Sequence, residues 1–226
     1  MTLNKKKVLV VSLALCLIAI LSFGTLAWFN ASDEITNQFM VTDSETDPDE
    51  IFSIDVYETA VEEDGKTVKD ADNDGVADIT DSGNVYDDIV PGVPYVKDPT
   101  VKNTGKYDQW VRVNVTIDEA EDWQDIFADY GITDLSTVFQ NHNETVWTRY
   151  DAPAYDATAK TLTYTYYLND ILEPGETVVL FDGIKLPEVL NQTDMAKVSA
   201  FNIKVVAQAI QAEGTGDTAQ EAFTKY

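Results

Sequence analysis

Residues 110–117 alternate in polarity: Val111, Val113, Val115 and Ile117 point one way, Trp110, Arg112, Asn114 and Thr116 the other. A period of two over eight positions predicts a half-buried β-strand. Runs rich in β-branched and aromatic residues predict further strands at 51–58, 145–150, 161–168, 177–181 and 198–210. In the last of these Phe201, Ile203, Val205, Ala207 and Ala209 share a face, and Tyr164, Tyr166 and Tyr167 read as cross-strand packing. The period changes over 118–130, where Trp123, Ile126, Phe127 and Tyr130 form one apolar stripe ended by Gly131. Asp118, with Glu121 three residues on, is the expected N-cap of this short helix. Asp64-Gly65, Pro91-Gly92, Asn103-Thr104-Gly105, Pro174-Gly175 and Asp182-Gly183 separate the runs as turns. Many short strands with one inserted helix predict an all-β, antiparallel β-sandwich over residues 51–212. Residues 213–226 read as a frayed C-terminal tail.

The N-terminus has a different pattern. Lys5-Lys6-Lys7 precede residues 8–23, which carry no charge, and Gly24-Thr25-Leu26-Ala27 lead to the first acidic residues, Asp33 and Glu34. A basic segment, an apolar segment and a small-residue exit predict a secretory signal peptide at 1–27, cut between Ala27 and Trp28. The apolar run is short for a transmembrane anchor, which needs roughly 20 residues. Cys16, the single cysteine, lies inside this run. The mature chain would therefore hold no disulfide and no cysteine-based zinc site.

Charge narrows the partners. The formal net charge is −25, and removing Lys5, Lys6 and Lys7 takes it to −28. Such a polyanion repels phosphate backbones and anionic headgroups, which argues against nucleic-acid binding and electrostatic membrane docking. Hydrophobic content of 44% is too high for a disordered acidic tail. The one histidine, His142, lies between Asn141 and Asn143 and reads as a surface residue. It leaves no second partner for a two-histidine zinc motif, and little with which to build a serine triad.

The sharpest chemical signal is Asp70-Ala71-Asp72-Asn73-Asp74-Gly75-Val76-Ala77-Asp78-Ile79-Thr80-Asp81, inside an acidic loop at 62–88. Asp70, Asp72, Asp74, Asp78 and Asp81 occupy positions 1, 3, 5, 9 and 12 of a twelve-residue calcium loop, with Gly75 at position 6. Calcium takes six to eight oxygens, and alternate Asp side chains on a curled loop converge on its centre while Val76 offers a carbonyl. Asp81 replaces the usual bidentate Glu, and no amphipathic helix flanks the loop, so this is not an EF-hand pair. Affinity of roughly 0.1–1 mM is expected, as for extracellular modules. The same residues also fit a solvated acidic loop that uses Asp-Gly only to turn.

The junction from Gly24-Thr25-Leu26-Ala27-Trp28-Phe29 through Thr36-Asn37-Gln38-Phe39 resembles the export signal read by the signal peptidase SipW. Pro91-Gly92, Lys97-Asp98-Pro99, Val101-Lys102-Asn103-Thr104-Gly105, Val111-Arg112-Val113, Pro174-Gly175-Glu176, Leu180-Phe181 and the closing 207–212 are similar to the TasA/camelysin-like exported proteins. The resemblance implies a secreted, jelly-roll-like sandwich that polymerises: a fibre subunit of a biofilm matrix or a surface coat. It also implies processing by SipW and the company of a minor matrix or anchor protein. The alternative it carries is a cell-surface metallopeptidase, because camelysin-like relatives are classed that way. A ligand-binding sandwich is a third, weaker option.

Residues 28–50 bear on assembly. Ile35, Phe39 and Val41 alternate with Thr36 and Gln38, and an acidic, proline-containing stretch follows at 43–50. This segment is either an ordinary first strand or a tethered donor strand. In the second case it fills the sheet edge of the next subunit and propagates an open filament.

Overall fold

The computed structural model describes residues 30–35, 52–150, 152–198 and 201–225. The chain divides into two units, 1–30 and 31–226, and everything below except Asn30 belongs to the second. The expected signal peptide, the Ala27/Trp28 junction and the 43–50 tether lie outside the described residues. Among those described, no helix is long and apolar enough to cross a membrane.

The first strands are β1 (Asn30–Ile35), β2 (Ile54–Thr59), β3 (Ile79–Thr80), β4 (Pro94–Val96), β5 (Thr100–Asn103) and β6 (Gln109–Ile117). After helix α1 (Ala120–Asp129) come β7 (Phe139–Gln140), β8 (Trp147–Arg149), β9 (Ala154–Asp156), β10 (Thr161–Leu168), β11 (Thr177–Val179) and β12 (Gly183–Lys185). The short α2 (Gln192–Met195), β13 (Ile203–Gln211) and α3 (Ala219–Lys225) complete the order. One sheet runs β1-β13-β6-β10-β8, with β9 also on β10; a second runs β11-β5-β2-β3; a small third runs β4-β12-β7. The registered pairs are antiparallel, so the expected antiparallel β-sandwich is the observed architecture.

Alternation builds the core. Val115 faces Tyr164 on one side and Val205 on the other, and Val113 lies between Tyr166 and Ala207. All six are buried, and they pack with Ile54, Val56 and Val101 of the second sheet. Helix α1 closes one end with Trp123, Ile126 and Phe127, and Phe201 meets the Trp123 ring edge-on at 5.0 Å. Each large apolar side chain buried this way contributes about 1.5–3 kcal/mol.

Three expectations are corrected. Asp118 does not cap α1: the helix starts after Glu119, which holds φ 48 and makes no side-chain cap. Asp118 instead accepts from the backbone N–H and side-chain amide of Asn202, at 2.5 and 2.6 Å, tying the end of β6 to the start of β13. Trp110, on the outward side of β6, is buried rather than wet, because the C-terminal residues fold over it. The stretch read as a frayed tail forms α3, whose Ala219 and Ala222 build a second apolar cluster with Trp110, Ile210 and Ala212. Arg112 stacks its guanidinium 4.4 Å from the Phe223 ring on the same face.

Candidate metal centre

Between β2 and β4 the chain makes a long acidic excursion. Its base is stitched to β2: Ala60 N–H donates to Asp78 O at 2.8 Å, Lys69 N–H to Ala60 O at 2.9 Å, and Asp78 N–H to Lys69 O at 2.9 Å. Beyond this base the chain curls, since Asn73 and Gly75 both adopt positive φ, 57° and 85°. Asn tolerates that region, and Gly enters it freely.

The curl turns alternate aspartates inward. Asp70, Asp72 and Asp74 each present a carboxylate oxygen, and the three lie within 4.8 Å of one another. Backbone N–H groups hold them there. Asp70 accepts from Asp74 and Gly75 at 3.1 and 3.0 Å, Asp72 from Asp74 at 3.3 Å, and Asp74 from Val76 at 2.7 Å. Three like charges this close repel, and a cation between them removes the conflict. Three hard oxygens with lone pairs to spare suit a hard cation rather than a soft metal.

Of the remaining predicted carboxylates, Asp78 and Asp81 are not in this group. Asp78 spends one oxygen on Ala71 N–H at 3.0 Å, bracing the loop from its far end. Asp81 lies outside the converging group, since β3 first returns the chain to pair with Glu58 and Thr59. The Val76 side chain is exposed. Asp64 caps the preceding turn: the backbone N–H groups of Thr67 and Lys66 hold its carboxyl down at about 2.

His142 corrects another expectation. It is half-buried, with its ring 4.9 Å from Tyr166 and its Nε2 shut away without a protein partner. Burial lowers its pKa. It borders a cleft with Asp134, Ser136, Glu144 and Arg149, in which Arg149 is paired with Asp134 at 2.6 Å. Among the described residues, the group of three or more metal-ligand side chains that converges is Asp70, Asp72 and Asp74, and His142 is not in it. The tyrosines of β10 behave as packing residues: Tyr164 and Tyr166 are buried, and Tyr167 meets Phe223 on the opposite face.

Local reading missed the buried ion pair between Glu58 and Lys97, 2.5 Å apart with side chains 0% and 7% exposed. The signal was present in part. Ile54, Val56 and Glu58 share the inward face of β2, which puts a carboxylate where alternation calls for an apolar residue. No family model, no curated protein and no solved structure matches this chain.

Proposed function

We propose that the protein is a secreted structural subunit that assembles into fibres of a biofilm matrix or cell-surface coat, with the Asp70–Asp74 loop as a calcium-responsive element. The observation that supports this reading most is the position of β1. It is the outermost strand of the six-stranded sheet, beside β13, and residues 36–51 separate it in sequence from the rest of the sandwich. A peripheral strand on a long connection can leave its own β13 and dock on that of a neighbour, exchanging identical pairings at little cost. Because donor strand and acceptor edge are different surfaces, the exchange propagates instead of closing.

Charge and calcium regulate the step in this reading. Subunits carrying −28 repel one another, and a cation at Asp70, Asp72 and Asp74 lowers that repulsion while ordering the loop. Export through a SipW-type peptidase and attachment to a minor anchor protein complete the proposal. Electron microscopy of the purified protein, in calcium and in chelator, tests it. Filaments that grow faster with calcium are expected; a monodisperse monomer under both conditions argues against a fibre subunit.

A further inference from the structure

Glu58 and Lys97 are joined by a third polar group. The side-chain amide of Asn84 reaches the other oxygen of the same carboxylate, Nδ2 to Oε2 at 3.4 Å. One buried carboxylate therefore touches an amine and a carboxamide at once. Alternation places them: Glu58 continues the inward face of Ile54 and Val56, and Lys97 lies two residues after the buried Tyr95. The pair is poorly explained by stability, because an apolar pair of similar volume is often as stabilising as a buried salt bridge.

The carboxamide is held at both ends. Its Nδ2 donates to Thr59 O at 2.8 Å, and its Oδ1 accepts from the backbone N–H of Val61 at 3.0 Å. That N–H sits where negative charge would develop if a nucleophile added to Asn84 Cγ. Tyr86 roofs the site with its hydroxyl on Val96 O at 2.7 Å, and burial followed by the Glu58 charge keeps that phenol protonated. The two oxygens of one carboxylate thus bring an amine and a carboxamide to the same group, with a backbone N–H on the carboxamide oxygen.

The geometry points to an autocatalytic isopeptide bond between Lys97 Nζ and Asn84 Cγ, with Glu58 as the proton shuttle. The Lys97 ammonium passes a proton to Glu58, and the freed amine lone pair forms the N–C bond at Cγ. The carbonyl π electrons move to Oδ1, opposite the Val61 N–H. Glu58 delivers its proton to Nδ2 and takes one from the former lysine nitrogen. As the carbonyl re-forms, the Cγ–Nδ2 bond breaks, and ammonia leaves with the last proton as ammonium. Glu58 ends as it began, so the reaction needs no oxidant and no other co-reactant. Holding the amine and the carboxamide on one buried carboxylate supplies the effective concentration that a weak amide electrophile requires. The link would pin the end of the acidic excursion to the strand that follows it, in a domain whose described residues include no cysteine.

Mass spectrometry of the full chain, purified folded, tests this. Trypsin cuts after Lys69, Lys97 and Lys102. The linked protein should give one fragment spanning residues 70–102, uncut at Lys97 and lighter by one ammonia, with the link located between Asn84 and Lys97 on fragmentation. Lys97→Arg should restore the full mass and the cut at position 97. Glu58→Gln, checked for folding by circular dichroism, should leave the bond unmade. Asn84→Asp should reach the same final fragment by losing water instead. Recovery of fragment 70–97 at full mass from the folded wild-type chain would overturn the assignment. So would an ammonia loss that persists in Lys97→Arg, because the ammonia would then come from another asparagine.

Discussion

Trp147 donates its indole N–H to the Val179 carbonyl at 2.8 Å, joining β8 of the larger sheet to β11 of the second. Trp147 is fully buried, so its indole N–H has no water to turn to, whereas Val179 is 45% exposed. Trp147→Phe keeps an aromatic ring in the core but removes the hydrogen bond to Val179. The lost hydrogen bond should destabilise by about 0.5–1.5 kcal/mol. Urea unfolding should show a lower midpoint at unchanged slope, and an unchanged midpoint would mean that water replaces the bond.

Gly65 is required for two reasons. Its φ is +64°, and a Cβ there would lie 2.6 Å from the Tyr86 ring and 2.8 Å from the Tyr95 ring. Gly175 has φ +81° with nothing within 4 Å of its Cβ position. Gly175→Ala should therefore cost only the conformational term, about 1–2 kcal/mol. Gly65→Ala should add an overpacking cost of about 1–3 kcal/mol. Thermal unfolding of the two variants checks the difference, and equal losses would mean that the tyrosines move aside freely.

Local signals carried much of this fold, and long-range pairings account for what they missed. Strands β6 and β10 were legible because period-two alternation is written into consecutive residues. The Asp70–Asp74 group was legible for the same reason, since its geometry comes from one short loop. Asp118 misled because its carboxylate is taken by Asn202, 84 positions away, a competition that no window around α1 reveals. Helix α3 was missed because its apolar face is only Ala219, Ala222 and Phe223, and it gains meaning from Trp110 on a distant strand. Glu58 on β2 and Lys97, one residue past β4, are 39 positions apart, so the pair becomes visible only in the folded chain.

Calcium should stabilise the domain through Asp70, Asp72 and Asp74. At ten times Kd the gain is about 1.4 kcal/mol, which calorimetry reads as a higher Tm. Asp72→Ala combined with Asp74→Ala should abolish the rise. An equal rise in that variant would reduce the effect to general charge screening.

Acid should destabilise the protein in two stages. His142 is held neutral by burial, so its contribution is present above the ordinary 6.5 and is lost as pH falls from there toward its lowered folded value. The carboxylates follow. Burial pushes Asp134 up, but hydrogen bonds from Ser136, Arg149 and Tyr164 outweigh it and hold the group below the ordinary 3.8. Asp64, at about 2, behaves alike. Their contributions are complete above 3.8 and disappear as pH falls through the folded values. Melting temperature against pH should show both declines, with His142→Gln removing the upper one and Asp134→Asn shrinking the lower. A profile unchanged by either substitution would contradict this assignment.

Assembly through β1 is the central claim, and truncation tests it most directly. Protein beginning at Trp28 should be compared with protein beginning at Glu45 by sedimentation and electron microscopy, with circular dichroism confirming the fold. The account predicts filaments from the longer chain and a folded monomer from the shorter, which lacks β1 but keeps the sandwich. Equal polymerisation of both, or unfolding of the truncated form, would contradict it.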